Sequence, residues 1–121
     1  MLVKHPESHA QQIVVQWLRK RGIHFCAIPN GGARSAFTGK ILKAEGVVAG
    51  APDILIFDRP PAVHCVGVAL EMKAPGGAKP SAHQLEFLSG LEKRGWAVVI
   101  AYGAHEAFEA LAKLGFGGLP K

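Results

Sequence analysis

Three charged residues around one predicted β-hairpin have the types and spacing that metal chemistry needs. Asp53 begins a short apolar run, and Glu71 and Lys73 lie two residues apart at the end of the next one. Side chains alternate along a strand, so Glu71 and Lys73 point to the same face. The other residues of that face are small and leave space: Cys65, Gly67 and Ala69. Antiparallel pairing in the right register brings Asp53 beside Glu71.

Charged groups on apolar strands are costly to bury unless they are paired or bind a metal. Two close carboxylates repel each other unless one takes up a proton or a cation lies between them. Oxygen ligands with positions left for water suit Mg²⁺ or Mn²⁺ rather than Zn²⁺. Such an ion can polarise a phosphodiester and lower the pKa of a bound water. Lys73 is then a base, an orienter or an electrostatic stabiliser, and the alternative is a surface ion pair of little energetic value.

Apolar periodicity and turn residues predict the elements that must position this trio. The predicted segments are helices over 6–21, 35–45, 81–94 and 104–114, and strands over 23–28, 53–57, 63–73 and 96–102. The side chains expected to face the core are Ala10, Ile13, Val14 and Trp17 in the first helix, Phe37, Ile41 and Leu42 in the second, and Leu85, Leu88 and Leu91 in the third. This order predicts one α/β domain over 1–121, with a mixed β-sheet flanked by helices.

Composition narrows the class of partner. The 121 residues are 49% hydrophobic with a net charge of +5, which indicates a globular chain that favours polyanions. No apolar run approaches the roughly 20 residues that a membrane span needs, and no signal peptide is recognisable, so no membrane association is expected. Cys26 and Cys65 lie in apolar runs, and we expect reduced core residues and a cytoplasmic location.

Two further polar residues have both a structural and a functional interpretation. Ser81-x-x-Gln84 is a capping box, yet Gln84 is also a candidate for the site, and we expect the two roles to exclude each other at any instant. Glu7 is favoured by the dipole of the first helix, and the same geometry aims it at the sheet as a metal ligand. The six histidines form no recognised ligand spacing. Candidate phosphate contacts are Asn30, Arg34, Lys40, Lys43 and Lys79.

These motifs together resemble a known family. Pro52-Asp53 followed by Glu71-x-Lys73 is similar to the PD-(D/E)xK nuclease superfamily. The helical Glu7, the turn Asn30-Gly31-Gly32, Gly50-x-Pro52-Asp53 and Ser81-x-x-Gln84 narrow the resemblance to the virus-type replication-repair nuclease (VRR-NUC) domain. The resemblance extends from Glu7 to about Tyr102.

The resemblance implies a restriction-endonuclease-like fold and a metal-dependent DNA endonuclease. In that family the residues matching Asp53 and Glu71 bind Mg²⁺ or Mn²⁺, the lysine matching Lys73 assists hydrolysis, and the residues matching Glu7 and Gln84 complete the site. Free-standing members are similar to Holliday-junction resolvases of phages and bacteria. A four-way junction has approximate two-fold symmetry, so we expect a homodimer acting on branched DNA. The alternatives are a DNA nuclease without structural preference, a nucleic-acid-binding module whose catalysis has lapsed, and a purely structural interaction protein. The intact trio argues against the last two.

Overall fold

The computed structural model describes residues 6–29 and 36–117. Its helices are α1 (Pro6–Lys20), α2 (Ala36–Ala44), α3 (Ala82–Glu92) and α4 (Ala104–Lys113). Its strands are β1 (Phe25–Ala27), β2 (Ile54–Ile56), β3 (Val68–Lys73) and β4 (Ala97–Tyr102). The type and order of every predicted element are confirmed, and the strands are shorter than predicted. No helix in these two ranges is long and apolar enough to cross a membrane.

The four strands form one mixed sheet in the order β1-β2-β3-β4. β2 pairs antiparallel with both β1 and β3, whereas β4 lies parallel to β3. A parallel neighbour requires a crossover, and α3 supplies it between β3 and β4. The predicted α/β architecture with a mixed sheet is therefore confirmed.

The core lies between one face of the sheet and the helices α1 and α4. Val68, Leu70 and Met72 alternate along β3 and are buried against the apolar stripes of these helices. Trp17 of α1 and Phe108 of α4 meet with their ring centroids 5.6 Å apart. Residues of the opposite parity, including Glu71, face the side on which α3 begins.

Three predicted core positions are wrong. Ile13, Ile41 and Leu85 are 38%, 44% and 51% exposed. In α1 the stripe continues through the fully buried Leu18 instead of Ile13, because positions 10, 14, 17 and 18 follow the helical period. In α3 the inward row is Gln84 with the buried Leu88, so Leu85 is turned outward. The side chain of Phe37 lies outside the described part.

The second hairpin strand begins later than predicted. Pro60 and Pro61 have no amide hydrogens to continue the ladder beyond β2. The chain after them pairs instead with loops, through bonds from Ala62 N to Leu114 O (2.9 Å) and from Val66 N to Gly95 O (2.9 Å).

Two other expectations about this region are wrong. The space predicted beside Gly67 is filled by the ring of Trp96, against which any added Cβ would collide. The cysteines are free, as expected, but Cys26 is exposed and Cys65 partly exposed, so neither is a core residue.

Candidate metal and nucleic-acid site

The register of the hairpin brings the two predicted carboxylates together. Ile54 pairs with Leu70, and continuing the antiparallel ladder by one residue sets Asp53 opposite Glu71. The amide of Met72 donates a 2.7 Å hydrogen bond to Oδ2 of Asp53, which fixes this side chain across the two strands. The predicted proximity of Asp53 and Glu71 is confirmed.

Glu71 is buried although its side chain can carry a charge, with 3% of its surface exposed. Its Oε1 accepts a hydrogen bond from Nε2 of Gln84 (3.2 Å), whereas its Oε2 is buried without a partner. Burial, the neighbouring Asp53 and the charge of Glu7 together raise the pKa of Glu71 to about 8, against the lowering effect of Lys73. Without a cation, the Glu71 carboxyl therefore holds a proton near neutral pH.

Gln84 joins the carboxylate to the lysine. Its Oε1 accepts from Nζ of Lys73 at 2.8 Å and from the amide of Ser81 at 2.9 Å, while Oγ of Ser81 accepts from the Gln84 amide at 3.2 Å. The capping box and the contacts to Lys73 and Glu71 are thus present together. The expectation that they exclude each other is wrong, because a carboxamide oxygen accepts two hydrogen bonds while its nitrogen donates others.

The start of α3 is seated against a glycine. Gly50 has a φ of +87°, and a Cβ at this position would collide with the carbonyl of His83 and the amide of Gln84. Glycine is therefore required both for the backbone conformation and for the close approach. This contact ties the loop before Asp53 to the turn that carries Gln84.

The site opens into a cleft with a volume of about 880 Å³. Its lining includes Asp53, Glu71, Lys73 and Gln84, the loop at Gly50, the end of β1, and one side of α1 from Glu7 to Arg19. Lys73 is partly exposed and lines the cleft.

The residues present fit a hard divalent cation. A buried carboxylate oxygen without a partner, next to a second carboxylate, is an all-oxygen donor set. No group of three or more His, Cys, Asp or Glu side chains close enough to hold a metal occurs in residues 6–29 and 36–117. Glu7 borders the cleft outside any such group, and its role as a metal ligand stays a prediction. Mg²⁺ characteristically binds through one or two carboxylates and keeps several waters, which matches Asp53 and Glu71.

The predicted phosphate contacts lie outside this cleft or outside the described residues. Asn30 and Arg34 lie outside the described residues. Lys40 and Lys43 are exposed on α2, and Lys43 borders a depression that shares Gly50 with the cleft. Lys79 is exposed in the loop between β3 and α3, which Tyr102 holds through a 3.2 Å bond from its hydroxyl to Ala78 O.

The sequence interpretation missed the wall that α1 contributes. Six polar residues of this helix line the cleft: Glu7, Ser8, Gln11, Gln12, Gln16 and Arg19. The polar rows themselves are visible in the sequence, because these residues recur at intervals of four beside the apolar stripe. His83 also lines the cleft, although no role was predicted for it.

No family model matches the sequence, and no curated protein matches it either. A solved structure named "VRR_NUC domain protein" is similar in fold, with a TM-score of 0.78. The match covers 97% of this chain and 93% of that chain, at 22% sequence identity. At this identity the likeness establishes the fold, and it agrees with the fold that the sequence motifs imply.

Proposed function

We propose that this chain is a divalent-metal-dependent DNA endonuclease of the VRR-NUC type. The observation that carries the proposal is the buried Oε2 of Glu71, which has no hydrogen-bond partner. Glu71 lies opposite Asp53 across the two strands and lines a cleft that also holds Lys73. A buried acceptor left without a hydrogen bond costs about 1–3 kcal/mol, and a bound cation would remove that cost. The shared fold with a VRR_NUC domain protein supports the same function.

Asp53 and Glu71 would hold the metal, which is Mg²⁺ or Mn²⁺ in this proposal. When bound, the ion supplies Lewis-acid stabilisation of the phosphodiester oxygen and a more acidic water. Asp53 is oriented for this task because Oδ2 is fixed by the Met72 amide. Glu71 must release its proton before it can bind a cation, so the affinity for metal rises with pH up to about 8. Glu7 borders the same cleft and raises the pKa of Glu71 through its charge, and it is the proposed third carboxylate of the metal site.

Lys73 serves as an orienter and electrostatic stabiliser. One N–H donor of its ammonium group is directed to Oε1 of Gln84, which leaves two donors for a phosphate oxygen or a water in the cleft. Gln84 restrains both Lys73 and Glu71, and its own position is set by the capping box. A donor held in place before the reaction stabilises developing negative charge without a cost of reorganisation.

DNA is the proposed partner of this site. The net charge of +5 and the exposed lysines of α2 and of the loop before α3 favour a polyanion. Asn30, Arg34, Lys40, Lys43 and Lys79 remain the proposed phosphate contacts.

The proposed substrate preference rests on the resemblance alone, and the proposed dimer rests on the resemblance together with symmetry. A four-way junction presents two equivalent strands to cut, and a two-fold homodimer would bring one site to each. We therefore propose a homodimer that cuts Holliday junctions in preference to plain duplex.

A cleavage assay with Mg²⁺ or Mn²⁺ on duplex, single-stranded, flap and four-way-junction DNA tests the proposed function. Light scattering at several protein concentrations, with and without the junction, tests the assembly. We expect faster cleavage of the junction and a dimeric mass. Equal rates on duplex and junction, with a monomeric mass, would support a nuclease without structural preference. Binding without cleavage would support the lapsed module.

A further inference from the structure

Helix α1 presents a polar face to the cleft in two adjacent rows. Residues four apart on a helix are neighbours on its surface, so each row runs along the helix axis. The row members that line the cleft are Glu7, Gln11, Val15 and Arg19 in one row and Ser8, Gln12 and Gln16 in the other. The buried residues of the core lie on the adjoining side of the helix, and Val15 also packs against them. This face is therefore exposed to whatever occupies the cleft.

The charges on this face are confined to its two ends. Glu7 lies at the start of α1, and Arg19 lies twelve residues later, about 18 Å along the axis at 1.5 Å per residue. Between them the two rows carry a hydroxyl, three carboxamides and one valine. Within the described ranges the Arg19 side chain makes no hydrogen bond or ion pair. Among the described residues that line the cleft, Lys73 and Arg19 are the two with a permanently basic side chain.

The polar side chains on this face of α1 are of the types that bind a nucleic-acid backbone. Arginine, glutamine and serine side chains are common donors to phosphate and sugar oxygens, and such contacts carry no sequence information. No aromatic side chain apart from His83 lines the cleft in the part of the chain that the structure describes, so the wall offers no platform for stacked bases. A length of about 18 Å corresponds to roughly five nucleotides of a stacked strand.

We propose that the backbone of the strand to be cut lies along this face of α1, and that Arg19 binds a phosphate a few nucleotides from the scissile bond. The glutamines contact the phosphate and sugar oxygens between these two points. This inference rests on the proposed function, because Asp53, Glu71 and Lys73 mark where the scissile bond of that strand would lie.

Lys20 provides a matched control for Arg19. It is the next residue of α1, it is exposed and basic, and it does not line the cleft. Arg19→Ala and Lys20→Ala therefore remove the same charge from neighbouring positions, and any general effect of net charge on DNA binding is common to both.

The experiment is a phosphate-neutralisation scan. Single methylphosphonates are placed at successive positions on either side of the cleavage site in a labelled oligonucleotide. Cleavage by the wild type, Arg19→Ala and Lys20→Ala is measured, together with binding of the same oligonucleotides by fluorescence anisotropy in chelator over a range of salt.

We expect Arg19→Ala to raise KM by about tenfold with little change in kcat, since a contact far from the scissile bond binds ground and transition states alike. A methylphosphonate at one position on one side of the cleavage site should weaken DNA binding by the wild type and by Lys20→Ala. It should not weaken binding by Arg19→Ala. The salt dependence of binding should flatten by about 0.7–0.9 in log–log slope for Arg19→Ala alone.

Equal effects of Arg19→Ala and Lys20→Ala, or a methylphosphonate penalty that persists in Arg19→Ala, would overturn the proposed path while leaving the nuclease proposal intact. A wild type that cuts no DNA with either metal would instead overturn the proposed function, and this inference with it.

Discussion

The buried carboxyl of Glu71 makes the stability of the metal-free protein depend on pH. Its pKa is raised from 4.5 to about 8, first by burial and then by Asp53. Below pH 4.5 the group is protonated in both the folded and the unfolded chain. Between these two values the unfolded chain loses the proton while the folded chain retains it. The free energy of unfolding therefore falls as pH rises through this window and levels off above about pH 8.

The magnitude follows from the difference in pKa. A difference of about 3.5 corresponds to at most about 5 kcal/mol, and water entering the open cleft reduces this to an expected 2 kcal/mol or so. Glu71→Gln has the shape of the protonated acid, and its amide oxygen can still accept from Gln84. We expect the metal-free variant to be more stable than the wild type at about pH 9 by roughly 2 kcal/mol, or about 8 °C in Tm. At about pH 5 the difference should be much smaller.

The assay is thermal unfolding followed by circular dichroism in chelator, at several pH values. Glu92→Gln removes one exposed carboxylate at the end of α3 and controls for net charge. Adding Mg²⁺ or Mn²⁺ at about pH 8 should stabilise the wild type and Glu92→Gln, but not Glu71→Gln. The stability of the wild type relative to that of Glu71→Gln should fall between about pH 5 and pH 9. A constant or rising difference would contradict a raised pKa of Glu71.

The remaining predictions concern Lys73, the pair Gln84 and Ser81, and the basic residues proposed to bind phosphate. Lys73→Met keeps most of the side-chain stem, so metal should still bind while turnover falls by about two orders of magnitude; an unchanged single-turnover rate would reduce Lys73 to a surface ion-pair partner. Gln84→Ala should lose about 1 kcal/mol of stability and about tenfold in turnover, whereas Ser81→Ala should lose only the stability, because it removes the cap and leaves the contacts of Gln84 with Lys73 and Glu71. Equal turnover in these two variants would limit Gln84 to capping. Each alanine substitution in the basic set should flatten the salt dependence of DNA binding by about 0.9, and an unchanged slope in the quadruple variant would place the DNA elsewhere. That set is Arg34, Lys40, Lys43 and Lys79.

The sequence predicted the centre of the site because its geometry is local. Alternation along one strand sets Glu71 and Lys73 on the same face, and antiparallel pairing with the preceding strand brings Asp53 opposite Glu71. The order of elements was equally accessible, because each helix and strand carries its own apolar period and its own turn residues.

Features that depend on how distant segments pack together could not be predicted from the sequence in the same way. Gln84 both caps α3 and contacts Lys73, and this arrangement depends on how closely Gly50 lets α3 approach the sheet. The exposure of Leu85 follows from the same approach, because Gln84 and Leu88 form the inward row. Periodicity identifies an apolar side of a helix, but only packing decides which residue at its margin is buried. Arg19 was missed for a related reason, because the polar rows of α1 are visible in the sequence but only packing decides that they form a wall of the cleft.

The most direct test of the central claim is single-turnover cleavage of labelled DNA by the wild type, Asp53→Asn and Glu71→Gln, with Mg²⁺ or Mn²⁺ and again in chelator. Asp53→Asn retains an oxygen that can accept from the Met72 amide, so it changes the charge while preserving the local fold. We expect cleavage that stops in chelator, returns when metal is added back, and falls by about two to three orders of magnitude or more in both variants. Undiminished cleavage in chelator, or a wild-type rate in either variant, would contradict it.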